Sequence, residues 1–207
     1  CGAVNSAALL LRSAHDKHRD GLGNSSGLGG TRYTAHLATM MQGFHPLKKN
    51  DTIFQKTVAI NDFYLRGPDT PFPLGQIQSQ GRTHGVMAQT VVPWVPLGAY
   101  EWWVARGVDW LVMSEDLPRA GNRVTVDGSG RIRLQYQPNN MWAHRRLVKE
   151  TTRILHRLGF WKVMKIEDYV GDALVGESIK NALDERAPCQ RYRGLRHDSR
   201  DRIESCA

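Results

Sequence analysis

The sequence predicts an α+β fold, and three observations carry that expectation. Apolar and polar residues alternate on both sides of a glycine-rich turn at Asn122–Pro138, a long amphipathic helix follows, and two strand-like runs separated by prolines come earlier. With 207 residues, 41% of them hydrophobic and 23% charged, the chain has apolar material for one sizeable domain or two small ones. No window approaches the ~18 uninterrupted apolar residues of a membrane span, and Ala7–Leu11 is too short and wrongly flanked for a secretory signal. A cytoplasmic chain without a membrane span is the expectation.

The opening stretch, CGAVNSAALLLRSA, reads as the end of a strand followed by a helix. Ser6 supplies a cap, and Ala7, Ala8, Leu9, Leu10 and Leu11 are strong helix formers with an apolar face. The polar run Asp16–Asp20 sets its end. From Gly21 to Gly30, five residues of ten are glycine, which a loop or a close backbone approach requires. Phe54–Leu65 is rich in aromatic and β-branched residues and predicts a strand, and Leu74–Gln80 predicts a second. Pro68, Pro71 and Pro73 make their link a loop. Leu97–Gly107 predicts a helix with Tyr100, Trp103 and Val104 on one face and Gly107 as its stop.

The hairpin is the clearest element. Val124 and Val126 alternate with Arg123, Thr125 and Asp127, while Ile132, Leu134 and Tyr136 alternate with Arg131, Arg133 and Gln135. Asp127-Gly128-Ser129-Gly130 supplies turn chemistry between them. One buried face therefore carries Val124, Val126, Ile132, Leu134 and Tyr136. In the helix that follows, Leu147, Val148, Thr151, Ile154, Leu155 and Leu158 recur at helical spacing, with Asn140 as N-cap and Gly159 as stop. After a short apolar segment a boundary falls near Lys165; a helix is expected at Asp172–Leu183, and the Arg-rich end beyond has no periodicity.

The formal charge is +8, but the basic residues are scattered. Their densest group, Arg186–Ala207, sets six Arg against three acids, the balance of a solvated tail rather than a phosphate-binding surface. Nucleic acid is therefore not an expected partner. Cys1, Cys189 and Cys206 are odd in number and far apart, and imply neither a disulfide framework nor a metal site.

No complete active site can be read from the residues alone. Gly21-Leu22-Gly23 and Gly27 nearly spell a phosphate cradle, but the last spacing is one residue too long and no strand precedes them. His15 and His18 could share a helix face, yet no third ligand completes a metal set. His36, His45, His84, His144 and His156 have no Ser or Cys nucleophile beside them in a recognisable motif. Trp94, Trp102, Trp103 and Trp110 could stack on a sugar or a base, but their spacing is explained by a core.

A family resemblance goes further. Gly2-Ala3-x-x-Ser6-Ala7-x-x-Leu10-x-x-Ser13-Ala14 resembles the second signature of the glucose-methanol-choline (GMC) family of FAD-dependent oxidoreductases, departing from it at Ala7 and Ala14. Ser25–Leu37 is similar to the segment that links this signature to the family's substrate-domain sheet, and Ser114–Phe160 to the stretch where that sheet ends and the chain returns toward the flavin domain. The likeness runs in family order from Cys1 to about Val163.

The resemblance implies a remnant of a Rossmann-like FAD-binding domain with its linking loop at residues 1–40, and a mixed or antiparallel substrate-type sheet with flanking helices at 41–140. A return helix and strand would occupy 141–164, and a divergent, partly disordered tail 165–207. It implies FAD as cofactor, with Cys1, Gly2, Ala3, Asn5 and Ser6 against it, and a small-molecule alcohol or sugar as substrate. The family's dinucleotide fingerprint would precede Cys1, and its catalytic His segments have no counterpart after Phe160, where His197 alone remains in an unrelated setting. The tail departs from the family as a shifted reading frame or a gene fragment would. The resemblance thus supplies no catalytic residue and no metal, and the isolated chain is expected to be inactive and prone to self-association.

Overall fold

The computed structural model describes residues 2–53, 56–89 and 93–166. Cys1, the first two residues of the 54–65 run, and everything from 167 onward lie outside the described residues, including the 172–183 helix, Cys189, His197 and Cys206. In chain order the elements are α1 (Ala3–Arg12), β1 (His36–Phe44), β2 (Ala59–Ile60), β3 (Gln76–Gly81), α2 (Gly85–Gln89), α3 (Leu97–Val104), β4 (Gly107–Glu115), β5 (Arg123–Val126), β6 (Ile132–Gln135), α4 (Met141–Arg157) and β7 (Lys162–Ile166). The fold is α+β, and no helix among the described residues is long and apolar enough to cross a membrane. The elements group into two compact units: of the described residues, 2–33 and 119–136 form one, and 34–118 with 137–166 the other.

In the first unit α1 starts earlier than Ser6 suggests. Gly2 is the N-cap, extended at φ −92° and ψ 165°, and Ser6 already lies inside the helix, its N–H donating to the Gly2 carbonyl at 2.9 Å. Ala3, Val4 and Asn5 offer no breaker, so the helix runs back to the glycine. It also ends before Asp16–Asp20. The Ser13 hydroxyl donates to the Leu9 carbonyl at 2.7 Å, and His15 and His18 then exchange backbone hydrogen bonds that fold the polar run into a tight turn.

The glycine run is a loop, as expected, and its bonds hold the unit together. Leu22 N–H donates to Leu10 O at 3.0 Å and Val124 N–H to Gly30 O at 2.7 Å. At Gly30, φ is +74° and a Cβ would stand 2.3 Å from the Val124 carbonyl oxygen, so only glycine permits this approach. β5 and β6 pair antiparallel, Val124 opposite Leu134 and Val126 opposite Ile132, in a two-stranded sheet of their own. Val124 is buried, and Val126, Ile132, Leu134 and Tyr136 are half-buried, while Arg131, Arg133 and Gln135 are exposed. Asp127 Oδ1 closes the turn, accepting from the Ser129 N–H and hydroxyl and from the Arg131 N–H at 2.7–3.0 Å. α1 packs on β5 and buries Ala8, and Arg12 reaches the Gly130 carbonyl through Nε at 3.0 Å.

The second unit is built on a five-stranded sheet of order β2-β3-β4-β1-β7, every neighbouring pair antiparallel. Its two central strands, β1 and β4, carry no distinct signal in the sequence. The long strand expected at 54–65 shrinks to Ala59–Ile60: Tyr64 N–H turns back to Asn61 O at 2.9 Å, and the Phe63 carbonyl accepts from Leu74 and Gly75. Because Leu74 is committed to that contact, β3 begins at Gln76. Gly107 does not stop α3, which ends at Val104. It opens β4 opposite Phe44, where a Cβ would come within 2.8 Å of the Gln42 side chain.

α4 covers one face of this sheet. Met41, Ile77, Trp110 and Val112 from the strands, with Leu74, pack against Ala143, Leu147, Val148 and Leu155 of α4. Each buried aliphatic side chain contributes about 1.5–3 kcal/mol relative to exposure. Asn140 takes the N-cap position without a capping side-chain bond. The Asp116 carboxylate, just past the end of β4, fixes the chain that enters the helix instead, its Oδ1 accepting the N–H groups of Asn139 and Asn140 at 2.8 and 3.2 Å.

Candidate functional site

Residues directly opposite in an antiparallel pair point to the same face, and alternate residues to opposite faces. Thr39, Met41, Trp110, Val112 and Ile77 therefore point toward α4. Ala38, Met40, Gln42 and Phe44 of β1, Asp109, Leu111 and Met113 of β4, and Gln76 and Gln78 of β3 point the other way, with Met40 paired to Leu111, Ala38 and Gln76 to Met113, and Gln78 to Leu111.

One end of this second face is closed by α3 and the segment after β3. The Phe44 ring stacks on Trp103 at 4.1 Å and 7° between planes, and the Trp103 indole N–H donates to Gln42 Oε1. Gln42 Nε2 donates to Asp109 Oδ1 at 2.8 Å, and Asp109 Oδ2 accepts from the Thr83 N–H at 2.7 Å and from the Thr83 hydroxyl. The buried carboxylate is thus satisfied by neutral donors, and the network fixes this end of the face.

The other end is open. Ala38, Met40, Leu111 and Met113 are half-buried, forming an apolar floor. Beside it runs a line of amides: Gln78 Nε2 donates to Gln76 Oε1, and Gln76 Nε2 donates to Asn61 Oδ1 at 2.7 Å. Among the described residues no formal charge stands on the floor between Ala38, Met40, Leu111 and Met113; His36 and Glu115, paired in register, mark its exposed rim. Such a surface can bind and orient a small neutral molecule.

The residues expected to touch a cofactor lie elsewhere in the chain. Gly2, Ala3, Asn5 and Ser6 are all exposed at the start of α1, and Cys1 is outside the described residues. A Cβ at Gly2 would meet nothing within 4 Å, and no acidic side chain occupies the first turn. N–H groups of a helix's first turn have no intrahelical acceptor and carry the positive end of the macrodipole, so this donor set suits one phosphate group. It offers no further contact to a large dinucleotide among the described residues.

Other candidates take structural places. His15 and His18 meet edge to face at 5.0 Å, and no group of three or more His, Cys, Asp or Glu among the described residues is placed to hold a metal ion. His144 does have a serine neighbour, which only the fold could reveal: its Nδ1 lies 3.1 Å from Ser114 Oγ and its Nε2 2.8 Å from Thr39 Oγ1. All three are buried, so no substrate reaches them. The tryptophans divide. Trp110 is core and Trp103 half-buried, but Trp94 and Trp102 are 83% and 50% exposed, contrary to a wholly internal cluster. A cavity of about 770 Å³ opens in the loop after β2, lined by Asp62, Phe63, Leu65, Arg66 and Pro71, most of them exposed.

No family model matches the chain, and no curated protein matches it.

Proposed function

We propose that the chain is part of a GMC-type FAD-dependent oxidoreductase acting on the CH–OH group of an alcohol or sugar, with the open sheet face as the wall against which the substrate lies. The observation that supports this reading is an all-antiparallel sheet sealed by α4 on one side and left half-open on the other, in a chain whose segments resemble the family in order. A substrate-type domain needs such an asymmetry, because one face must hold the fold together while the other receives a ligand. The part of residues 1–40 that precedes β1, with α1, would be the Rossmann-like remnant, and Cys1, Gly2, Ala3, Asn5 and Ser6 would meet a phosphate of the cofactor.

FAD, when bound, supplies the hydride acceptor. The chain's own residues hold the substrate: Met40, Leu111 and Met113 exclude water from its apolar side, and Gln76 and Gln78 orient its hydroxyls. The isolated chain is proposed to be inactive. Hydride transfer requires a rigidly held flavin and a base within reach, and displacement by ~1 Å can lower the rate ~100-fold. The test adds FAD, a panel of alcohols and sugars, and an artificial electron acceptor. Dye reduction above the free-flavin background, abolished by denaturing the protein, would refute inactivity.

A second reading is a binding or interaction module derived from the substrate domain. It is favoured by Trp94, Trp142 and Trp161, which are 83%, 61% and 73% exposed. Flavin absorbance decides: a yellow, stoichiometric FAD complex of the purified chain sinks the module reading.

A further inference from the structure

We propose that a cavity in the second unit, between the loop after β1, the start of β4 and the end of α4, binds the phosphate group of a small phosphate monoester, held by Lys48, Lys49, Arg106 and the His45 imidazole. The proposal is independent of the open sheet face and of the oxidoreductase reading.

The cavity has a volume of about 250 Å³ and brings together basic residues that are scattered in the sequence. Lys48 and Lys49, both exposed on the loop, share its lining with Arg106 and His45, against one carboxylate, that of the exposed Asp51. None of the three cations has an ion pair among the described residues. Like charges gathered in one concavity repel one another and focus a positive potential there, which a doubly charged anion relieves.

The cations stand on a fixed frame. His45 N–H donates to Arg106 O at 3.0 Å, Asn50 N–H to Ala105 O at 2.7 Å and the Asn50 side chain to Gly107 O at 2.7 Å, so both ends of the loop are bonded to the chain that enters β4. Arg106 is held in turn: Nε donates to Pro46 O at 3.1 Å, Nη1 donates to Trp102 O at 2.9 Å, and the guanidinium lies 4.4 Å from the centre of the Trp102 ring. Among the described residues no acceptor takes the hydrogens of Nη2. His45 Nδ1 accepts the N–H groups of Leu47 and Lys48 at 3.2 and 3.1 Å, which places the proton of the neutral ring on Nε2, where no described residue accepts it.

A guanidinium edge, two ammonium groups and an imidazole N–H suit an anion with three acceptor oxygens and two charges better than a carboxylate with two oxygens and one charge. The end of α4 does little to oppose it, because the carbonyls of Ile154, Leu155 and His156 are taken by the N–H groups of Leu158, Phe160 and Gly159. Val108, Leu158 and Phe160 make the remaining wall apolar. The volume equals that of roughly eight waters in the liquid, more than one phosphate fills, so a small organic body fits beside the anion.

The test titrates the ¹⁵N-labelled full chain with glycerol 3-phosphate, inorganic phosphate and, as the neutral control, glycerol. Ionic strength is held at about 0.15 M with chloride, where diffuse attraction is largely screened. Glycerol 3-phosphate is expected to shift the amide resonances of Lys48, Asn50 and Phe160 saturably, with a Kd of about 1 mM, while Ile77 in β3 stays still. Inorganic phosphate is expected to shift Lys48 and Asn50 more weakly than the ester, and glycerol to shift none. Lys48→Gln combined with Lys49→Gln changes two exposed side chains, keeps the fold, and should weaken the ester by about tenfold. An unchanged Kd in that variant would overturn the assignment, as would no saturable shift or equal shifts with glycerol. Binding of the chain to phosphatidylglycerol vesicles together with silence toward the ester would overturn it too, since the loop would then read a lipid surface. None of these outcomes bears on the flavin titration.

Discussion

His144 on α4 and Ser114 on β4 are hydrogen-bonded inside the second unit, Nδ1 to hydroxyl at 3.1 Å, with both side chains buried. Thr39 on β1 meets the other ring nitrogen at 2.8 Å, so the imidazole ties α4 to both central strands. His144→Leu strands two buried hydroxyls and leaves an ill-fitting side chain. A loss of about 2–4 kcal/mol of unfolding free energy is expected in urea titration. Retention of wild-type stability would refute the tether.

The hairpin turn should respond to acid. The Asp127 carboxyl lies well below the usual carboxylate range, first because the Ser129 hydroxyl donates to it, then through the N–H groups of Arg131 and Ser129 and the side chain of Arg133. A carboxyl depressed on folding stabilises the folded state above its unfolded pKa, and the benefit is lost as pH falls through the folded value. Hydrogen-exchange protection across β5 and β6 should therefore decline as pH drops below about 4. In Asp127→Asn, protection should be weaker at neutral pH and insensitive to acid.

On α4, Glu150 is buried between Arg146 Nε at 3.1 Å and Arg153 Nη1 at 3.0 Å, and Arg146 also reaches the exposed Asp69. Glu150→Gln leaves the partly buried Arg146 and the half-exposed Arg153 facing a neutral amide, and about 1–2 kcal/mol of destabilisation is expected, mostly through Arg146. Asp69→Asn removes a solvent-screened partner and should cost no more than about 0.5–1 kcal/mol. Parallel denaturant titrations test the order; equal effects would mean that burial of Glu150 is immaterial.

Backbone approach at Gly30 can be tested against a neutral glycine. Gly30→Ala places a methyl 2.3 Å from a backbone oxygen at φ +74°, whereas a Cβ at Gly128 meets nothing within 4 Å. Loss of the hairpin amide pattern in Gly30→Ala, with Gly128→Ala nearly silent, is expected in two-dimensional NMR.

The elements that were legible in the sequence are those whose period is written in a single stretch of chain. Val124, Val126, Ile132 and Leu134 announce the hairpin because one face is half-buried and the other solvated. Leu147, Val148, Thr151 and Leu155 announce α4 for the same reason. β1 hides because both its faces are covered at one end: in His36–Phe44, Gln42 and Gly43 are as buried as Met41 and Phe44, and Ala, Met and Gln carry no strand propensity. β4 hides behind Asp109, whose partners Thr83 and Gln42 lie far away in sequence. Phe63 misled in the opposite sense, since its aromatic ring packs on the core from a loop. The candidate site inherits this limit. Gln76 and Gln78 alternate visibly in β3, but the Met40, Leu111 and Met113 floor beside them exists only once β1 and β4 are paired.

The strand order has a temporal side. β1, at position four of the sheet, bonds to β4 and β7 and to neither of its neighbours in sequence, and even the nearest of its β4 partners, Phe44 with Gly107, are separated by the whole β2–α3 stretch. During synthesis β1 must therefore leave the ribosome with both edges bare and wait while β2, β3, α2 and α3 are made. β3 and β4, joined through α2 and α3, close a smaller loop than β1 and β4 do and pair over a longer stretch than the two-residue β2 with β3, so their pairing should nucleate the sheet. β1 then docks on a preformed edge, and β7, translated last, seals the far side. A chain of this topology folds slowly for its size, and its yield in a cell depends on how well the exposed first strand is shielded until its partners arrive.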